Sequence, residues 1–231
     1  MDVRVISIGC LSANPLWGEK AAVRTGHATT TLVRVGPTVI VVDPGLPAPA
    51  LAARLNERAG LSPEQVTHVF LTRFHPDTVR GLDLFPDAAW LISHEEREGI
   101  GVPLAETLRR TARADAESGE PDVQTRAALE RQINLLQRCS AAPQRLADGV
   151  DLFPLPGVSP GLTGLLLAEE DRTTLVCGDS VATAEHLARA MVLPNCASVE
   201  AARTSFAEAV EVADLLVLGR DNIVFNDRSV I

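Results

Sequence analysis

Three aspartates stand where apolar runs end: Asp43 after Val39–Val42, Asp77 in Thr72-Arg73-Phe74-His75-Pro76-Asp77-Thr78, and Asp179 in Cys177-Gly178-Asp179-Ser180. Carboxylates grouped with an imidazole can hold a divalent metal ion or move a proton. A single acid beside Gly or Pro is an ordinary turn former. Three of them, with His75 in the same register, predict one shared cleft. A fourth step of the same kind, Leu218-Gly219-Arg220-Asp221, brings an arginine and another acid to a strand end. Basic residues are almost all arginine, Lys20 being the only lysine, so permanently charged guanidinium groups are the cations available to such a cleft.

The elements that must deliver these residues are legible as periodicity. Val3 to Ile8 and Thr30 to Val35 read as strands, and Val39-Ile40-Val41-Val42-Asp43-Pro44-Gly45 as a strand buried on both faces that ends in a carboxylate. Pro49 to Ala59 has helical spacing with Gly60 as its stop, and Ser62-Pro63-Glu64-Gln65 has the form of a capping box. Val66 to Leu71 and Ala89 to Ser93 read as strands. A helical segment spans about 103–147, broken at Gly119-Glu120-Pro121-Asp122, with Leu129, Ile133 and Leu136 on one face; it could pack on the sheet, form a lid or make a dimer contact. Leu162 to Ala168 and Thr173 to Cys177 pair through a turn at Glu169-Glu170-Asp171. Val199 to Val212 is an amphipathic helix, and Leu215 to Leu218 a last core strand. Two halves of strands followed by helices predict packed sheets covered by helices in a single 1–231 domain.

Composition narrows the function. The chain has 231 residues, 46% apolar and 22% charged, enough for a sizeable core. A net charge of −9 repels phosphate backbones and argues against a nucleic-acid partner. No apolar run is long enough to span a membrane, and the N-terminal stretch lacks a signal-peptide core, so no membrane partner is expected and the expected compartment is the cytoplasm. Cys10, Cys139, Cys177 and Cys196 form no CxxC pair and read as reduced thiols. Oligomeric state stays open.

The ordered steps VVDPG (41–45), TRFHPDT (72–78), LPGVSP (155–160), CGDS (177–180) and LGRD (218–221) resemble the metallo-β-lactamase superfamily, whose pattern is a strand-end Asp, THxHxDH, a PGHT-like turn, a GD step and a PGH step. The resemblance implies an α/β fold, a four-layer αββα sandwich with its cleft at one edge between the sheets. It also implies a site at Asp43, Arg73, His75, Asp77, Thr78, Val158, Asp179, Arg220 and Asp221. Of these, His75, Asp77 and Asp179 match the family's metal ligands. Arg73, Thr78, Val158 and Arg220 stand where the family places histidine, so four of its five histidine ligands are replaced. A catalytic zinc needs three protein ligands, and two metals about 3.5–4 Å apart need more than remains here.

The two arginines suggest what took the metals' place. Without dications, Asp77, Asp179 and Asp43 would face one another uncompensated, and a guanidinium at 73 and at 220 could neutralise them through bidentate bonds. Truncating either arginine should then cost roughly 3–5 kcal/mol. The first functional expectation is a homologue with no cofactor, non-catalytic or atypical, binding a small anionic ligand. The second is an ester, thioester or lactone hydrolase with one divalent metal (Mn, Mg or Zn) on His75, Asp77 and Asp179, perhaps joined by Asp221. A third is metal-free hydrolysis with His75 as base, for which no nucleophile stands out. Against all three, His75, Asp77, Asp179 and Asp43 could be packed or turn-capping residues. Cys177, Ser159 and Ser180 lack triad spacing, and His27, His68, His94 and His186 match no motif position.

Overall fold

The computed structural model describes residues 1–118 and 122–227. Two six-stranded mixed sheets form the centre. The first runs β1 (Asp2–Ser7), β2 (Thr30–Val35), β3 (Thr38–Val42), β4 (His68–Leu71), β5 (Ala89–Ile92) and β6 (Ser140–Ala141) in sequential order, antiparallel up to β3 and parallel from there. The second is ordered β12 (Ile223–Phe225), β11 (Leu215–Leu218), β10 (Thr173–Gly178), β9 (Thr163–Ala168), β8 (Val150–Pro154) and β7 (Arg145–Ala147), with only β10 and β11 parallel.

Alternation along the strands makes the layers. Ile40 and Val42 of β3 point inward with Val33, Phe70 and Leu91, meeting Val150, Leu165, Leu167, Val176 and Val217 of the other sheet. Val39 and Val41 point outward, under Leu51 and Leu55 of α1 (Ala48–Ala59) and Leu136 of a long helical hairpin. On the far side Leu175, Cys177, Leu216 and Leu218 are covered by Ala202, Phe206, Ala209 and Val210 of a C-terminal helix, Val199–Val212. The result is the αββα sandwich. Gly60 closes α1 at φ +62°, the left-handed region that a glycine enters without steric cost.

The helical segment is displaced from its predicted bounds of 103–147. Its two helices are α3, His94–Ser118, and α4, Val123–Arg138, joined after α2 (Pro76–Val79) in chain order; a short α5, Ala184–Ala188, precedes the C-terminal helix, α6. Of the predicted break at 119–122, residues 119–121 lie outside the described residues. At the N-terminal end the Ser93 hydroxyl accepts the Glu96 N–H at 3.1 Å, so the helix starts nine residues before Pro103, which it accommodates in its interior. At the C-terminal end Ser140–Ala141 and Arg145–Ala147 are drawn into the two sheets as β6 and β7. Smaller differences occur where strands end. Ile8 lies beyond β1 and is exposed, and Asp43 lies one residue past β3. No described helix is long and apolar enough to cross a membrane.

Candidate functional site

Asp43 leaves β3 at φ +48°, a conformation an aspartate tolerates better than a branched residue. The turn aims its carboxylate across to the end of β4, where Oδ1 accepts the Thr72 N–H at 2.8 Å and Oδ2 lies 2.6 Å from the Thr72 hydroxyl. Thr30 bonds the Asp43 carbonyl at 2.7 Å from the other side. Burial pushes the Asp43 carboxyl up to about 7 in spite of the two Thr72 bonds. Asp43 therefore fixes the loop that begins at Thr72.

That loop carries Arg73, His75 and Asp77. It turns into α2 at Pro76, where the Thr78 hydroxyl lies 2.9 Å from the Arg73 and His75 carbonyls and accepts the His75 N–H at 3.2 Å. Thr78 is buried and spends its oxygen on backbone. His75 Nδ1 accepts the Asp77 N–H at 3.2 Å, which leaves the ring proton on Nε2. Partial burial and the Arg73 charge hold the imidazole down to about 4, against the pull of Asp77. His75 is thus neutral at pH 7, and its available nitrogen is a donor rather than a base.

Asp179 and Arg220 come from adjacent parallel strands, β10 and β11. A Cβ on Gly219 would lie 2.3 Å from the Gly178 carbonyl oxygen, so only glycine lets the two strand ends approach this closely. Backbone bonds from Gly219 to Val181 (3.0 Å) and from Arg220 to Ala182 (2.7 Å) then lock the arginine's direction. Its guanidinium forks onto Asp179, Nε to Oδ1 at 2.7 Å and Nη2 to Oδ2 at 2.8 Å, while Nη1 reaches Asp77 Oδ2 at 2.7 Å. Arg220 is 4% exposed and Asp179 3%. Arg73 adds a close ion pair to Asp179 Oδ2, and Arg80, one turn along α2, stands 3.5 Å from Asp77 Oδ1. The two guanidinium groups hold the Asp179 carboxyl well below the usual carboxylate range, although burial pushes the other way, and the acids in turn raise Arg220.

The structure brings Arg73, His75, Asp77, Asp179 and Arg220 together, with Asp43 behind them. Val158 is buried in the apolar cluster beneath α6 and offers nothing to the acids. Asp221 turns away: its carboxylate accepts the Ala184 N–H at 3.2 Å and the Asn222 N–H at 2.8 Å. Among the described residues no group of three or more His, Cys, Asp or Glu side chains is arranged to hold a metal ion. Every Asp179 oxygen already receives a guanidinium N–H, Asp77 Oδ2 receives another, and His75 Nδ1 is engaged, so the donor set does not suit a zinc pair.

Two residues of the site were not anticipated. Arg80 carries the signal of an i,i+3 spacing from Asp77. Glu96 is wholly buried and bonds two backbone amides, Phe74 N–H and Gly161 N–H, each at 2.9 Å. Beside it the Ser93 hydroxyl donates to the Gly161 carbonyl at 2.6 Å. The pair staples the Arg73 loop to the 155–161 turn. Its sequence signal was Ser93-x-x-Glu96, a capping-box spacing.

Comparison with known proteins gives this geometry a context. The family model of the metallo-beta-lactamase superfamily matches residues 23–191. A search of curated proteins finds no match. Among solved structures the chain is similar to AidC, a dizinc quorum-quenching lactonase in complex with a product, at 17% identity and TM-score 0.66, covering 86% of this chain and 74% of that one. It is also similar to AiiA from B. thuringiensis with N-decanoyl-L-homoserine bound at its active site, at 18% identity and TM-score 0.58, covering 91% and 86%. A probable metal-dependent hydrolase from Staphylococcus aureus aligns over 100% of this chain and 94% of its own, at 12% identity and TM-score 0.71.

Proposed function

Because the chain belongs to the metallo-beta-lactamase superfamily, we propose that it is a member in which guanidinium charge replaces the metal pair, a non-catalytic or atypical homologue whose cleft takes a small anionic ligand. One observation carries the reading: Arg220 is forked onto Asp179 and bonded to Asp77 at 2.7–2.8 Å. A cation placed between the same carboxylates would have to displace a buried, permanently charged guanidinium. With Thr78 and Val158 in place of histidines, no further ligands would compensate the displacement.

The anion follows from the charge that is left. Arg73, Arg80 and Arg220 face the two carboxylates of Asp77 and Asp179, an excess of one positive charge whenever Asp43 behind them, its carboxyl pushed up to about 7, is protonated. Arg73 Nε is buried without a hydrogen-bond partner among the described residues, and a buried donor of this kind calls for an acceptor. A carboxylate or phosphate oxygen supplies one.

Metal analysis of purified protein, with melting temperature read before and after chelation, tests the first half. The expected result is substoichiometric metal and an unchanged melting temperature. One tightly held equivalent, whose removal lowers the melting temperature, would instead favour the hydrolase reading with a metal on His75, Asp77 and Asp179. Inorganic phosphate at matched ionic strength tests the second half. Stabilisation over chloride that disappears in Arg73→Met supports an anion site there, and equal melting temperatures in the two salts refute it.

A further inference from the structure

On the other side of Arg220, the segment between β1 and β2 folds back on itself. Cys10 and His27 face each other in an antiparallel bridge, joined by Cys10 N–H to His27 O at 2.9 Å and His27 N–H to Cys10 O at 3.1 Å. Directly opposed residues put their side chains on the same face. The Cys10 Sγ accordingly lies 3.4 Å from His27 Nδ1 and 3.5 Å from the Thr25 carbonyl, and His27 Nε2 lies 3.1 Å from the Ile8 carbonyl. A carbonyl only accepts, so Nε2 carries the ring proton and Nδ1 presents a lone pair to the thiol. This is a nucleophile, a base and a group that orients the base.

Cys10 lines a cavity of about 360 Å³ whose wall also includes Trp17, Arg24, Glu185, Arg220 and Asp221. Trp17 is 59% exposed, its indole N–H bonded to Glu185 at 3.1 Å, and Arg24 stacks over its ring at 5.4 Å. The wall thus combines an aromatic face with arginines already ion-paired, Arg24 to Glu19 and Arg220 to Asp179, and with the carboxylates of Glu185 and Asp221, a mixed-charge lining suited to a zwitterionic, peptide-like molecule. The other three thiols lack such a setting. Cys139 and Cys177 are buried in the apolar layers, and Cys196 is bonded to the Leu193 carbonyl at 2.8 Å.

We propose that Cys10 is a thiol-exchange site, with His27 as its base, that takes a sulfenyl group from a low-molecular-weight, zwitterionic disulfide entering this cavity. The thiol proton passes from Sγ to His27 Nδ1 as Sγ attacks one sulfur of the disulfide. The S–S bond breaks, and the departing thiolate takes the proton from the imidazolium. One thiol and one disulfide become one mixed disulfide and one released thiol, with no net change in electrons. The adduct lies in the cavity that Arg220 walls, next to the acid cluster without drawing on it.

Glutathione disulfide is the probe, with adducts read by intact mass and peptide mapping at pH 7.5. The expected result is one glutathionyl group on the Cys10 peptide of folded protein, formed roughly three- to tenfold faster than on Cys10 of the urea-unfolded chain, the gain expected from a base held against the attacking thiol. His27→Gln, with melting temperature checked, loses that advantage, and Cys10→Ser leaves no fast site. Folded Cys10 reacting no faster than unfolded Cys10 overturns the proposal without any variant. So does a folded His27→Gln protein that reacts at the parent rate, or an adduct found first on Cys196.

Discussion

Replacing Arg220 with alanine removes three hydrogen bonds between charged groups, two to Asp179 and one to Asp77. Bonds to charged groups contribute about 1.5–3 kcal/mol each in favourable cases, but the loss is partly offset because Arg73 still pairs with Asp179 and Arg80 still faces Asp77. What remains is a carboxylate 3% exposed with half its partners gone, for which breaking a buried pair gives about 3–5 kcal/mol. For a chain of this length that is a fall of roughly 6–20 °C in melting temperature. Urea unfolding at pH 7 measures it directly. The pH dependence supplies a second check. Asp179 has its folded pKa held below the unfolded value of about 3.9, so its stabilisation is complete above that value and fades as pH falls through the folded pKa. The gap between parent and Arg220→Ala should therefore be widest above about pH 5 and shrink in acid. Arg73→Ala should cost less, about 1–3 kcal/mol, because Asp179 keeps both Arg220 bonds and Arg73 itself carries an unpartnered Nε. The even cost expected from sequence for either arginine thus becomes an unequal one. A loss below about 1 kcal/mol for Arg220→Ala at pH 7 would refute the charge-replacement argument.

Asp43 should behave oppositely with pH. Its folded pKa of about 7 lies above the unfolded value, so its contribution is fully present below about pH 4 and lost as pH rises through 7. Asp43→Asn should gain on the parent between pH 5 and pH 8, and parallel stability curves over that range would contradict the assignment. Glu96→Gln keeps the shape but turns one acceptor into a donor facing an amide N–H, which should cost about 1–3 kcal/mol in urea unfolding; a neutral result would mean the staple is not needed. Restoring histidine at four positions together (Arg73→His, Thr78→His, Val158→His and Arg220→His) should recover zinc binding by calorimetry if the scaffold still directs those positions at one centre. A folded quadruple variant that takes up no zinc would show that the backbone has moved as well.

Local pattern made much of this site readable. Asp43 and Asp179 each directly follow a buried strand, whose end is the first place a charge can stand, whereas Asp77, expected at a strand end too, lies six residues past β4 in the first turn of α2. The two strands on either side of Gly178 and Gly219 were recognisable in the same way. Contacts made over long sequence distance were not. Glu96 lies 65 residues from Gly161, and the Ser93-x-x-Glu96 spacing points to a helix cap, not to bonds with the Phe74 and Gly161 amides. The helix expected from about residue 103 begins instead at His94, because the Ser93 cap and packing on the sheet carry α3 through Gly99, Gly101 and Pro103 in spite of their poor helix propensity. Residues 140–147 continued a helical pattern but were claimed by two sheet edges. Cys10 and His27 fall in an irregular stretch, where periodicity says nothing about which residues will oppose each other.

The pattern of what is kept and what is replaced is informative in itself. Against the family's pattern, four of the five histidine positions differ in this chain, while His75 and the two ligand-position acids, Asp77 and Asp179, match it. Removing a histidine leaves no charge behind. Without a dication between them, a buried Asp179 carboxylate (3% exposed) and a partly buried Asp77 carboxylate (18% exposed) must be protonated or paired. Pairing is the outcome in this structure, and it explains why position 220 holds an arginine and not a lysine: one planar fork reaches Asp179 with two nitrogens and Asp77 with the third, where an ammonium would satisfy them only by turns. Arg220→Lys should accordingly preserve the charge and still lose part of the stability that Arg220→Ala loses. Solved relatives at 12–18% identity establish the fold alone, so this local electrostatic logic is what bears on function.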